Sequence, residues 1–166
     1  MDLSVKKAGV LTISDKGFKG LRKDKSGPLV VDILKKEGYQ IHKRAIIPDN
    51  YQQIIDLLME WVEKESLSLI ITSGGTGLSA TDLTPQAMKK VIDYPVPGMA
   101  EAMRAASLKK TPHAMLSRAV VGVRKTCLII NLPGSPVAAR ENLLVILPAL
   151  QHAILKLSGD MTDCAS

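Results

Sequence analysis

Thr72-Ser73-Gly74-Gly75-Thr76-Gly77 follows the apolar run Leu69-Ile70-Ile71. A turn rich in glycine and hydroxyls brings backbone N–H groups close to a phosphate, because no Cβ stands in the way. Asp82 lies shortly after the last of these glycines. A second acid, Asp49, ends another apolar stretch at Ile46-Ile47-Pro48. In a parallel sheet the carboxyl ends of neighbouring strands share one edge, so Asp49 and Asp82 can face one crevice. Paired carboxylates beside phosphate oxygens are an arrangement that holds Mg²⁺. The same acids also suit the positive end of a helix, and their positions leave both readings open.

Two familiar phosphate motifs fit the glycine segment poorly. A P-loop needs Gly-Lys-Ser/Thr, and Lys89 is too distant and falls in a helical pattern. Gly75-x-Gly77-x-x-Ala80 matches the relaxed dinucleotide fingerprint, but the helix start that fits best is Thr84-Pro85, beyond the motif. The matching acid, Asp93, falls at a helix end. Gly27-Pro28, Thr84-Pro85, Thr111-Pro112 and Ser135-Pro136 each place proline where a helix begins. Helix starts gathered at strand ends would form an anion pocket, although proline is also simply a good helix starter.

The elements that must position these groups read as alternating strands and helices. Strands are expected at residues 8–14, 41–47, 67–72, 120–123 and 126–131. Helices are expected at about 26–37, 51–65, 84–92, 98–110 and 137–157, and Thr111-Pro112 repeats the cap-and-proline start of Thr84-Pro85. Thr84 is expected to cap its helix. Glu101 and Arg104 share one helix side. The residues predict one α/β domain over 1–166.

A chain of 166 residues with 46% hydrophobic and only 3% aromatic residues builds its core from Val, Ile, Leu, Ala and Met, which suits parallel strands covered by helices. The net charge of +6 favours anionic ligands. Its lysine pairs are scattered and lack interleaved aromatics, so no nucleic-acid partner is expected. Cys127 and Cys164 suggest neither a disulfide framework nor a zinc site. The first apolar run is too short to span a membrane and is followed by no cleavage pattern, which predicts a cytoplasmic protein without a membrane partner.

Further matches are separate in sequence: Thr12-Ile13-Ser14-Asp15, Asp24-x-Ser26-Gly27-Pro28, Ile47-Pro48-Asp49, Asp82-x-Thr84-Pro85, Pro97-Gly98, Met115-Leu116-Ser117-Arg118 and Asn131-Leu132-Pro133-Gly134-Ser135-Pro136. With Gly74-Gly75-Thr76-Gly77, they give the chain a resemblance to the molybdopterin adenylyltransferases over nearly its whole length. That resemblance implies a three-layer α/β/α sandwich with a mostly parallel central sheet. It implies transfer of AMP from Mg-ATP to the phosphate of molybdopterin, with release of pyrophosphate, in molybdenum cofactor biosynthesis. It also implies a homotrimer and hand-over of product to a metal-insertion enzyme.

Asp49 and Asp82 then become the catalytic, Mg²⁺-binding pair. Ser14, Asp15, Gly74, Gly75, Thr76, Gly77, Thr84, Ser107, Ser117, Pro133, Gly134 and Ser135 become substrate-binding positions. Arg104, Lys109 and Arg118 are candidates to hold the pterin phosphate. Thr81 departs from the pattern, because the family often has arginine there. The alternative is a module of the same fold that carries molybdopterin without chemistry. Metal-inserting relatives share the fold but normally carry further domains.

Overall fold

Short apolar runs bounded by turn residues have nowhere to hide except between two helical layers. The computed structural model, which describes residues 6–159, places them there. Its sheet contains β1 (Lys7–Ile13), β2 (Gln40–Ile47), β3 (Leu69–Ser73), β4 (Tyr94–Pro95), β5 (Val121–Arg124) and β6 (Cys127–Leu132), in the order β2-β1-β3-β6-β5-β4. β1 pairs in parallel with β2 and β3, and β3 pairs in parallel with β6. β5 runs antiparallel to both β6 and β4. The expected mostly parallel sheet is present.

Alternation along each strand divides its side chains between two cores. Val10, Leu69, Ile71, Leu128 and Ile130 pack under α2 (Ser26–Lys36), α5 (Pro97–Leu108) and α6 (Pro136–Leu157), meeting Leu34, Met103 and Leu143. Leu11, Ile13, Ile70 and Ile129 point the other way, to α3 (Tyr51–Glu63) and α4 (Thr84–Val91), meeting Ile54, Leu58, Trp61 and Met88. These two clusters make the three layers. Each fully buried aliphatic side chain contributes roughly 1.5–3 kcal/mol relative to exposure, so the strand ends between the layers are held firmly.

The structure corrects several local expectations. Ser14 caps a short helix, α1 (Asp15–Phe18), in a stretch expected to be loop; its side chain accepts a hydrogen bond from Gly17 N at 3.1 Å. Thr84 does not cap α4: Leu83 occupies that position without a side-chain cap, and Thr84 is wholly buried. Tyr94 and Pro95 add a two-residue edge strand between the helices expected at 84–92 and 98–110. Thr111 does cap the 3-10 helix Pro112–Leu116, accepting from His113 N. Burial pushes the Cys127 thiol up to about 12, as suits a packed hydrophobe. Cys164 lies outside the described residues. No helix among the described residues is long and apolar enough to cross a membrane.

Candidate active site

From β1 the chain moves outward to β2, then returns to add β3 on the other side of β1. Strand order therefore reverses between β1 and β3, and open parallel sheets bind ligands beyond the carboxyl ends of their strands at such a point. A cleft of about 580 Å³ opens there. Thr12 to Ser14 line it from β1, Asp49 from the end of β2, Ser73 to Gly75 from β3, and Gly134 to Pro136 from the end of β6. Arg22 to Ser26 and Asp82 complete the wall.

Backbone crowding explains the glycines. Gly74 has φ +107°, and a Cβ on it would strike the main-chain oxygen of Ile13. Gly75 has φ +65°; a Cβ there would run into the Thr84 hydroxyl and come within 3.4 Å of Asp49 Oδ1. Gly74 N donates to Leu132 O at 3.0 Å. Asn131 Nδ2 donates to Thr72 Oγ1 at 3.0 Å and to Gly74 O at 3.3 Å, tying the loop to β6.

The two acids are held differently. Asp49 Oδ2 accepts from Asp15 N at 2.9 Å, and Asp49 N donates to Asp15 Oδ1 at 3.0 Å, a reciprocal clasp between the ends of β1 and β2. Asp82 Oδ2 accepts from Ser79 N at 2.9 Å within its own turn. Each acid retains an Oδ1 that no hydrogen bond engages among the described residues. Asp82 is near enough for its charge to act on Asp49.

Burial raises the Asp49 carboxyl above its ordinary value; the Asp15 N–H bond opposes this, while the charges of Asp15 and Asp82 add to it. A carboxyl raised on folding binds its proton more tightly in the native state. Stability is therefore lost as pH rises from the ordinary carboxylate value through the raised one. Asp49→Asn keeps an acceptor for Asp15 N and removes the charge. Its melting temperature by scanning calorimetry is expected to exceed the parent's near neutral pH, with the gap closing by about pH 4.

A second pocket, about 290 Å³, lies beyond the same loop and is lined by Thr76, Gly77, Ser107, Ser117, Pro133 and Asn142 among others. Asn142 Nδ2 donates to Ser107 Oγ at 3.0 Å, and the nearby Lys110 is paired with Glu141 at 2.5 Å.

The expected site residues thus divide. Ser14, Gly74, Gly75, Gly134, Ser135, Asp49 and Asp82 line the main cleft, whereas Thr76, Gly77, Ser107, Ser117 and Pro133 line the second pocket. Asp15 and Thr84 line neither; Asp15 clasps Asp49, and Thr84 sits beneath Gly75. Among the basic candidates, Arg118 spends two guanidinium nitrogens on main-chain oxygens, Nε on Gly77 O at 2.7 Å and Nη2 on Asp82 O at 2.5 Å. Two of its three guanidinium nitrogens are thus engaged with the main chain, and it lines neither the main cleft nor the second pocket. Arg104 gives Nη1 to Ala119 O at 3.0 Å and borders the second pocket. Lys109 lines neither site.

Asp24 was missed as a site residue. Its carboxylate, only 4% exposed, accepts from Thr12 Oγ1, Ser26 Oγ and Gly27 N, which fixes the start of α2 in the cleft wall. The signal was an acid three residues before an amide at a helix start, as in Asp24-x-Ser26-Gly27. Asn131 opens the match that runs to Pro136, whereas Asn142 stands in no comparable pattern.

Fold and cleft together define a ligand-binding α/β domain with a glycine loop and an acidic pair at its topological switch point. The chain belongs to the family described as a probable molybdopterin binding domain, whose model matches residues 9–152. It is 37% identical over 155 residues to the molybdopterin adenylyltransferase of Helicobacter pylori (strain J99), covering 92% of this chain and 88% of that protein. It is 42% identical over 156 residues to gephyrin of Dictyostelium discoideum, covering 88% of this chain but spanning only 22% of gephyrin's length. Among solved structures, the molybdopterin biosynthesis enzyme MoaB of Thermus thermophilus superposes with a TM-score of 0.88 at 45% identity, covering 93% of this chain and 97% of that one.

Proposed function

We propose that this chain acts in molybdenum cofactor biosynthesis as a molybdopterin adenylyltransferase, moving AMP from Mg-ATP to the molybdopterin phosphate and releasing pyrophosphate. The observation that carries this reading is the meeting of Asp49 and Asp82 at the glycine loop, each with one carboxylate oxygen left over. No cluster of three or more His, Cys, Asp or Glu among the described residues is placed to hold a metal by itself. A two-carboxylate site suits Mg²⁺ that takes its remaining ligands from phosphates and water. The bound ion supplies neutralisation of charge on the ATP phosphates.

The chain's own residues do the positioning. The backbone of Gly74 and Gly75 lines the main cleft with no side chain in the way, and Arg22 and Lys23 at its wall attract a polyphosphate. Ser107, Ser117 and Asn142 offer the second pocket hydroxyl and amide partners for a polar ring system. The two pockets flank one loop, which suits a nucleotide in the first and the pterin in the second with their phosphates converging at the glycines. Both the nucleophile and the leaving group are phosphate oxygens, so alignment and charge neutralisation account for the catalysis. A homotrimer in the cytoplasm that hands its product to a metal-insertion enzyme completes the reading.

Pyrophosphate release measured with ATP, Mg²⁺ and molybdopterin tests it. Release is expected to require all three and to stop on addition of EDTA. Tight pterin binding without release would assign the chain to carriage instead.

A further inference from the structure

Asp82 sits at the end of a turn that is bonded chiefly to itself. Ser79 N donates to Asp82 Oδ2, Asp82 N returns to Ser79 O, and Thr81 N and Thr81 Oγ1 both meet Ser79 Oγ. Leu78, Ser79, Ala80 and Thr81 are exposed. Exposed and closed by so few bonds, such a turn opens readily unless something outside it holds its ends.

Among the described residues, the hydrogen bonds that tie it to the rest of the chain come from one residue 36 and 41 positions away. Arg118 Nη2 donates to Asp82 O at 2.5 Å and Nε donates to Gly77 O at 2.7 Å. Its main-chain N donates to Thr76 O at 2.9 Å. The guanidinium is planar, so its two bonds fix the separation and direction of the two carbonyls it grips. Arg118 lines neither the main cleft nor the second pocket. Its neighbour Ser117 does line the second pocket. One short segment therefore touches the second pocket and steadies the acid of the first.

We propose that Arg118 is a positioning residue that sets the Asp82 carboxylate by clamping the Gly77 and Asp82 carbonyls. The kinetic part of this rests on the adenylyl-transfer reading; the structural part does not.

Arg118→Met removes the fork at similar length, and Arg118→Lys keeps the charge and can reach one carbonyl. Hydrogen exchange followed by mass spectrometry is expected to show amides of residues 77–83 exchanging about tenfold faster in R118M, with protection of β1 and β3 unchanged. Turnover is expected to fall about a hundredfold in R118M, with the KM for ATP changed less than about threefold and R118K intermediate. In a double-mutant cycle, R118M/D82N is expected to be no slower than D82N, because Arg118 acts through Asp82. Unchanged exchange in 77–83, equal loss of protection in β1 and β3, or additive losses in the cycle would each overturn the proposal. If the parent chain makes no adenylylated product, the functional reading fails by itself, and the exchange comparison still decides whether Arg118 holds the turn.

Discussion

Asp82→Asn is expected to lower the rate of adenylyl transfer by on the order of 10²–10³ while leaving the fold intact. Asn is nearly isosteric, and its Oδ1 can still accept from Ser79 N, so the turn that Asp82 closes survives. What disappears is a negative oxygen facing the glycine loop. In the proposed reading ATP also draws on the loop backbone and on Arg22 and Lys23, so the KM for ATP should rise by no more than about tenfold. Steady-state kinetics at saturating Mg²⁺, alongside calorimetry, separates the two effects. Equal turnover in the parent and the variant would remove Asp82 from catalysis.

Gly74→Ala should have the largest effect on stability, because strain and collision act at one atom. At φ +107° an L-residue is strained by about 1–3 kcal/mol, and the new Cβ meets the carbonyl oxygen of Ile13. That oxygen belongs to β1 and cannot move without disturbing the sheet. A total loss of about 2–4 kcal/mol lowers the melting temperature by roughly 5–15 °C for a chain of this size. Gly20→Ala is the control: its φ is +71°, and nothing lies within 4 Å of the added Cβ. It should show the strain alone. Similar melting temperatures for the two variants would mean that the contact with Ile13 is not limiting.

The frame was legible because local chemistry and the fold agree along most of the chain. Buried runs such as Leu69 to Ile71 are too short and apolar for anything but inner strands, and prolines at Pro28, Pro85, Pro112 and Pro136 sit within the first turns of helices. The glycine loop could be read because positive φ and close neighbours at Gly74 and Gly75 leave no room for a Cβ.

The remainder depends on contacts between residues far apart in sequence, which leave no local periodicity. Asp15, expected as a substrate contact, also braces Asp49 across the strand ends, and no local pattern announces that pairing. Thr84 matched a helix-capping pattern, yet packing against Gly75 draws its hydroxyl inward, where it finds no hydrogen-bond partner among the described residues. Arg118, a candidate for the pterin phosphate, also bonds to Gly77 and Asp82 far away in sequence. One set of substrate positions also became two pockets, since the glycine loop stands between residues that the sequence could only group together.

The most direct test of the central claim follows the α-phosphate. The chain is incubated with molybdopterin, Mg²⁺ and ATP labelled at the α-phosphorus, and the pterin fraction is separated and weighed by mass spectrometry. Label is expected in a pterin heavier by one AMP, formed in step with pyrophosphate and lost in Asp82→Asn. Unmodified molybdopterin bound to the protein, with all label remaining in ATP, would contradict that claim.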